Sequence, residues 1–301
     1  MSSQPFVCIG LPVYNAERYL AGVIESHLAQ THSNFELLIS DNASADATPE
    51  ICADYARRDR RIRVVREPKN RGLSWNHARV LELAQGPYFR WGAADDLLSP
   101  GLIEEAVRLL ESDSATVLCV PHTKNIDSEG VITATLPRTL DLPMDDAVER
   151  VKAMLMGHYQ MVFPQGLMRL DTLLTTRRRW DYFGWDFVLL LELALRGRLR
   201  QTESEFLLRR LHPNQASRVQ RDANAGVARI EPTFRARWVF PHWRWQRERF
   251  RAVADSPLTP REKRSLFAFL SQQTWWTREV LLRDLTMNVR LAFTKSGEMP
   301  L

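Results

Sequence analysis

Apolar positions in the first 120 residues alternate between continuous runs and helical spacing. Residues 6–14, FVCIGLPVY, form an unbroken apolar run with β-branched members that stops at Asn15, as a buried strand would. Residues 16–30, AERYLAGVIESHLAQ, instead place Leu20, Val23, Ile24 and Leu28 on one helical face. FELLISD (35–41), RIRVVRE (61–67), PYFRWGA (87–93) and ATVLCVPH (115–122) repeat the strand pattern. TPEICADYARR (48–58, with Pro49 near its first turn), LSWNHARVLELAQ (73–85) and SPGLIEEAVRLLES (99–112) repeat the helical one. Ser99 is expected to cap the last of these helices, with Pro100 at its first position. This rhythm predicts an α/β fold, a mostly parallel sheet with helices on both faces.

From about residue 125 the pattern changes. KNIDSEGVITATLP reads as a hairpin turning at Glu129-Gly130. MDDAVERVKAMLMG reads as an amphipathic helix, and FPQGLMRL as a short strand leading into DTLLTTRRR. In WDYFGWDFVLLLELALRGR, Asp186 immediately precedes a strongly apolar helix that stops at Gly197. LRQTESEFLLRRLHPNQASR is strand-like until His212-Pro213-Asn214, and the pattern beyond Ser217 is helical.

With 301 residues, 45% of them hydrophobic and 26% charged, the chain is of ordinary globular composition. Its net charge is +5, and all but five of its 41 cationic side chains are arginine, a usage that a GC-rich genome explains more readily than anion binding does. The basic excess is modest, which speaks against a nucleic-acid partner. Cys8, Cys52 and Cys119 are far apart within apolar patterns and read as core residues in a reducing compartment. The N-terminal stretch lacks the basic region and apolar length of a signal peptide. No run approaches the ~18 apolar residues of a spanning helix. The expected location is cytoplasmic.

In sheets of this kind ligands bind beyond the carboxyl ends of the strands. Those ends carry Pro12-Val13-Tyr14-Asn15, Asp41-Asn42 and Asp95-Asp96. Adjacent carboxylates repel unless a cation or a hydrogen-bond donor compensates, so the last pair either caps a helix or holds a metal. Neither G-x-G-x-x-G after the first strand nor G-x-x-x-x-G-K-[ST] is present, which removes the main support for dinucleotide and P-loop readings.

LPVYNAERYL, SDNASADAT, NRGLSWNHA and ADDLLSP, in that order, followed by GWDFVLLLELALRG and LLRRLHPNQAS, resemble family-2 glycosyltransferases, inverting enzymes of GT-A fold that use nucleotide-sugar donors. The resemblance spans roughly residues 6–218 and implies a GT-A catalytic domain over 1–218. Its nucleotide-sugar half would be 1–122 and its acceptor-side half 123–218, followed by a helical Trp/Arg-rich extension over 219–301. It implies that Asp41 accepts from the imide N–H of a pyrimidine base with Asn42 in support, and that Pro12, Tyr14 and Asn15 shape the floor beneath the base. Arg71 would meet the diphosphate, Ala94 would line the donor site, and Asn76 would tie its helix to the strand ends. Asp95, with Asp96 and His212, would hold Mg²⁺ or Mn²⁺, whose charge neutralises a departing diphosphate. Asp96 serves equally well as a helix cap, and Asp46 as an organiser of its own turn. Asp186 is the candidate catalytic base, with Asp181 behind it, because inversion needs a carboxylate opposite the leaving group.

The family's acidic motif has a carboxylate where this chain has Ala93, so one donor-ribose or metal contact must be absent or supplied elsewhere. Two alternatives stay open: a catalytically degenerate sugar-nucleotide-binding subunit, and a nucleotidyltransferase. The activity implied is sugar transfer from a UDP- or dTDP-linked donor to a saccharide or glycolipid acceptor, in bacterial polysaccharide, glycolipid or glycoconjugate synthesis. In the tail, Trp238, Trp243, Trp245, Trp275 and Trp276 are interleaved with arginine. That mixture suits either packing within the protein or between subunits, or contact with the inner face of the membrane.

Overall fold

The computed structural model describes residues 4–138, 140–157, 163–178, 180–212 and 240–293, with side chains of the last helix through Thr286. The chain runs β1 (Val7–Val13), α1 (Glu17–Leu28), β2 (Phe35–Asp41), α2 (Thr48–Arg58), β3 (Ile62–Arg66), α3 (Leu73–Glu82), β4 (Tyr88–Trp91), β5 (Leu97–Leu98) and α4 (Leu102–Ser112). It continues β6 (Thr116–Ile126), β7 (Ile132–Thr135), α5 (Ala147–Met156), a 3-10 turn (Phe163–Gln165), β8 (Leu167–Arg169), α6 (Leu170–Leu174), α7 (Trp185–Ala194) and β9 (Arg198–Arg210). Three helices follow: α8 (Pro241–Ala254), α9 (Pro260–Trp276) and α10 (Arg278–Phe293).

The strands form one sheet in the order β3-β2-β1-β4-β8-β6-β9-β5, with β7 paired to β6. β3, β2, β1 and β4 are mutually parallel, β6 and β9 are parallel to each other, and β8 joins the two groups by antiparallel pairing on both sides. Six of the nine strands therefore point one way, and the expected mostly parallel α/β sheet is present.

Alternation along β1 divides the core. Val7, Ile9, Leu11 and Val13 pack with Leu20, Val23 and Ile24 of α1 and with Leu102, Ile103 and Leu110 of α4. Cys8 lies on the opposite face with Val80 and Leu81 of α3 and with α5 and α7. Gly10 lets α3 settle onto the sheet, because a Cβ there would lie 2.7 Å from Val80 Cβ. All three cysteines are buried and free.

Two expectations need correction. Ser99 does not cap α4, whose N-cap is Gly101 with no side-chain cap bond. The Ser99 hydroxyl instead donates to Phe206 O (3.1 Å) and accepts from Phe206 N (2.7 Å), because the two-residue strand β5 pairs with β9 at this point. Asp186 does not precede its helix but sits in the first turn, after the N-cap Gly184.

The C-terminal helices pack on the rest of the protein. Arg177 donates to Glu192 of α7 (2.5 Å) and to Glu248 of α8 (2.8 Å), and both carboxylates are buried. Leu266 and Leu270 of α9 are fully buried, and Gln273 donates to Leu155 O of α5 (3.3 Å). Trp238 and the 213–239 segment lie outside the described residues. Among the described residues no helix is long and apolar enough to cross a membrane.

Candidate active site

β2, β1 and β4 are neighbours and parallel, so their carboxyl ends open on one edge of the sheet. β1 continues to β2 on one side and β4 continues toward β5 and β6 on the other, and such a divergence between neighbouring strands is where a crevice forms in these sheets. Pro12 is half-buried, Tyr14 is 49% exposed, and Asn15 turns the chain with φ +49. Asn15 Oδ1 accepts from Ala45 N (2.9 Å), and Asn15 N donates to Ser44 Oγ (2.9 Å). Asp46 accepts from Glu17 N (3.1 Å) and from Thr48 N (3.0 Å), so it stitches the loops after β1 and β2 together.

Asp41 is only 1% exposed. Its Oδ1 accepts from Ser44 N (3.0 Å). Its buried Oδ2 lies 3.3 Å from Arg66 Nε and receives no hydrogen bond among the described residues. A buried carboxylate oxygen without a donor is costly, and a ligand N–H would remove that cost. Asn42 is buried, and its side-chain amide is engaged by the loop after β3. It donates to Asn70 Oδ1 (2.9 Å) and Gly72 O (3.1 Å) and accepts from Arg71 N (3.0 Å), which fixes the loop carrying Arg71. The exposed Arg71 guanidinium lies 4.7 Å over the Trp75 ring. Asn76 donates to Ser40 O (3.0 Å) and Val13 O (3.3 Å), joining α3 to the ends of β2 and β1.

Beyond β4 the chain presents half-buried Ala93, Ala94 and Asp95, then buried Asp96. Asp95 Oδ2 lies 3.0 Å from His212 Nε2, so strand ends 117 residues apart bring a carboxylate and an imidazole together. Asp96 is not a helix cap: its Oδ1 accepts from Arg210 N (2.8 Å) and its Oδ2 from Gln165 Nε2 (2.6 Å). Burial, and then the Asp95 charge, push its carboxyl well above the usual range. Arg90 in β4 donates to Gln165 O (3.1 Å) and completes a chain Arg90–Gln165–Asp96–Arg210 beneath the site. Arg210 also donates to Asp95 O (3.0 Å) and to Asp127 O and Ser128 O of the β6–β7 turn. Its guanidinium lies 4.6 Å over the Tyr19 ring, which in turn packs 5.3 Å from His212.

Asp95 and His212 fit a divalent cation as a two-ligand set, an oxygen and a nitrogen that converge at the crevice. Asp96 fits less well, since both of its oxygens are already engaged. Among the described residues no cluster of three or more His, Cys, Asp or Glu could by itself enclose an ion. The remaining ligands would be donor oxygens and water.

Asp186 is half-buried at the start of α7, where its Oδ1 accepts from Phe187 N (3.0 Å). Desolvation raises its pKa, which makes the carboxylate a stronger base than a solvated one. The preceding Trp185 lies 6.5 Å from the Trp91 ring at the end of β4 and 5.7 Å from His77 of α3. Asp181, the fallback, is exposed and accepts from Arg244 of α8 (2.6 Å). The positions that sequence reasoning missed are Arg66, Arg90, Gln165, Arg210 and Tyr19. Arg210 lies within the LLRRLHPNQAS stretch, but its partners come from loops more than 80 residues away.

A profile of the family described as Glycosyl transferase family 2 matches residues 8–170. EpsH of Bacillus subtilis (strain 168), named as a glycosyltransferase, is 27% identical over 209 residues, covering 69% of this chain and 56% of that protein. Chondroitin synthase of Escherichia coli is 27% identical over 157 residues, 52% of this chain and 22% of that protein. The chain spans about half or less of the length of the curated relatives it matches. The crystal structure of S. aureus TarS 1–349 in complex with UDP superposes with a TM-score of 0.64 at 15% identity, covering 91% of this chain and 73% of that one, a likeness of fold. The family match covers more than half of the chain and takes in the ends of β1, β2 and β4. The chain belongs to glycosyltransferase family 2.

Proposed function

We propose that this protein transfers a hexosyl or deoxyhexosyl unit, with inversion, from a UDP- or dTDP-linked donor to an acceptor hydroxyl. The product would be a bacterial polysaccharide, glycolipid or other glycoconjugate. The observation that carries this reading is one sheet edge bearing buried Asp41, whose Oδ2 accepts no hydrogen bond among the described residues and faces Arg66 at 3.3 Å, and, across β1, the Asp95–His212 pair. Asp41 suits the imide N–H of uracil or thymine, while Pro12, Tyr14 and Asn15 border the base and Arg71 and Ala94 border the diphosphate. Asp186 takes the proton of the acceptor hydroxyl as its oxygen attacks the anomeric carbon, and the nucleoside diphosphate departs from the opposite side. A Mg²⁺ or Mn²⁺ ion held by Asp95 and His212 would supply Lewis-acid neutralisation of the leaving diphosphate. Asp96 would act from beneath by holding Arg210 and Gln165.

A thermal-shift screen of UDP-, dTDP- and GDP-linked sugars with and without Mn²⁺ tests the donor class. UDP- or dTDP-sugars are expected to raise Tm in the presence of Mn²⁺, since a donor at a hundred times its Kd adds about 2.7 kcal/mol of stability. A flat response to every donor would defeat the reading. Binding without sugar release against a broad acceptor panel would favour the degenerate-subunit alternative.

The proposed address is the cytoplasmic face of the membrane, through the tip of the α9–α10 hairpin. Trp275 and Trp276 are 66% and 55% exposed, Leu282 and Leu285 are exposed on α10, and Arg278 lies 4.7 Å over the Trp275 ring. Interfacial tryptophan beside arginine suits anionic headgroups. Flotation with phosphatidylglycerol vesicles is expected for the parent and lost in Trp275→Ser/Trp276→Ser. Equal flotation of both would rule the contact out, and a loss of dimer in light scattering would assign the same residues to a subunit interface.

A further inference from the structure

The segment carrying Asp186, WDYFGWDF over 180–187, is held between two aromatic surfaces. On the sheet side, Trp185 meets Trp180 (5.1 Å) and His77 (5.7 Å), and Ser74 at the start of α3 donates to Trp180 O (2.6 Å). On the other side five of its eight residues, Asp181, Tyr182, Phe183, Gly184 and Phe187, meet α8. Arg244 donates to Asp181 (2.6 Å) and lies 5.3 Å over the Tyr182 ring. The Phe183 ring is 5.6 Å from His242, which is fixed to Asp284 of α10 (2.7 Å). Gly184 has φ +75, and a Cβ there would lie 2.8 Å from Trp245 Cδ1, so the indole rests directly on the turn. The Phe187 ring is 5.3 Å from that indole, and the Arg249 guanidinium lies 4.7 Å over the indole and 5.8 Å over the Phe187 ring.

Gly184 is therefore required twice, for its left-handed backbone and for the close approach of Trp245. The contacts flank Asp186 on both sides in sequence, while its carboxylate accepts from Phe187 N of its own helix. A catalytic group misplaced by about 1 Å forfeits on the order of 100-fold in rate. Without α8, the segment carrying Asp186 would be anchored on the sheet side only.

We propose that α8, which lies outside the matched family region, is part of the catalytic apparatus as a positioning element, with Arg244 and Trp245 aiming Asp186 at the acceptor. The inference rests on Asp186 being the base. Neither residue touches the donor edge formed by Pro12–Asn15, Asp41 and Asp95, so positioning and donor binding are separable.

The test compares Arg244→Ala, Arg244→Lys, Trp245→Ala and Trp245→Phe with Asp186→Asn. UDP release from a panel of UDP-sugars is measured together with UDP/Mn²⁺ affinity and hydrogen exchange over 180–187. Arg244→Ala and Trp245→Ala are expected to lower kcat about 10- to 100-fold. UDP affinity should stay within twofold, faster exchange should be confined to 180–187, and the Lys and Phe variants should recover much of the rate. Unchanged kcat in both alanine variants overturns the proposal, as does UDP affinity falling in step with kcat. An inactive Asp186→Asn beside unaffected α8 variants removes the positioning role alone, whereas an active Asp186→Asn removes the base reading on which it stands.

Discussion

Replacing Asp186 by Asn is expected to lower sugar transfer about 10²- to 10⁴-fold, the range supplied by general base catalysis, equivalent to roughly 3–5 kcal/mol of barrier. Asn is nearly isosteric and can still accept from Phe187 N, so the first turn of α7 keeps its geometry. What it cannot do is take a proton. Stability sharpens the prediction. Desolvation raises the folded-state pKa of Asp186, so the folded chain retains this proton to higher pH than the unfolded chain does. The group's contribution to stability is full below the ordinary carboxylate range and is lost as pH rises through the folded-state value. Above that value the ionised side chain weakens the fold, and there Asp186→Asn is expected to melt no lower than the parent. A variant that is inactive, binds UDP normally and is at least as stable identifies a functional charge. An Asp186→Asn protein that transfers at the parental rate would exclude Asp186 as the base.

The parts of the fold legible in the sequence are those set by local signals. β2 and α2 begin and end where the FELLISD run and the TPEICADYARR pattern do, because a continuous apolar run and a Pro at the first turn mark boundaries within a few residues. Ser99 shows where such signals fail. Ser-Pro-Gly before an apolar run is a sound local cap, but the β5–β9 pairing captures the hydroxyl first. A two-residue strand has no period to detect. The same divide runs through the site. Asp41, Asp95 and Asp186 stand at strand and helix ends and could be picked out by position, whereas Gln165 and Arg210 matter only through bonds spanning 69 and 114 residues. Tryptophan and arginine in the tail suit packing against protein as well as contact with lipid. The fold divides them, burying Arg249 of α8 and leaving Trp275 and Trp276 in the open.

Asp95→Ala is expected to cost a comparable amount, by a different route. The carboxylate has its Oδ2 against His212, its backbone carbonyl held by Arg210, and buried Asp96 as its neighbour. Removing it leaves His212 as a single ligand, too little to retain a hard cation that prefers several oxygens. Lewis-acid stabilisation worth several kcal/mol would vanish, a loss on the order of 10²- to 10⁴-fold in transfer. The distinguishing observation is in binding: Mn²⁺ should strengthen UDP affinity in the parent and have no effect in Asp95→Ala. His212→Ala should weaken that dependence less, and the double variant should be no worse than Asp95→Ala, since both side chains act through one ion. Ala93 makes this sharper still. With no carboxylate two positions upstream to take over, the chain has no spare acidic ligand at the end of β4 except Asp96, and that one is committed to Arg210 and Gln165. An Asp95→Ala protein that kept its Mn²⁺-dependent UDP affinity would refute the metal assignment, and with it the pairing of Asp95 and His212 as ligands.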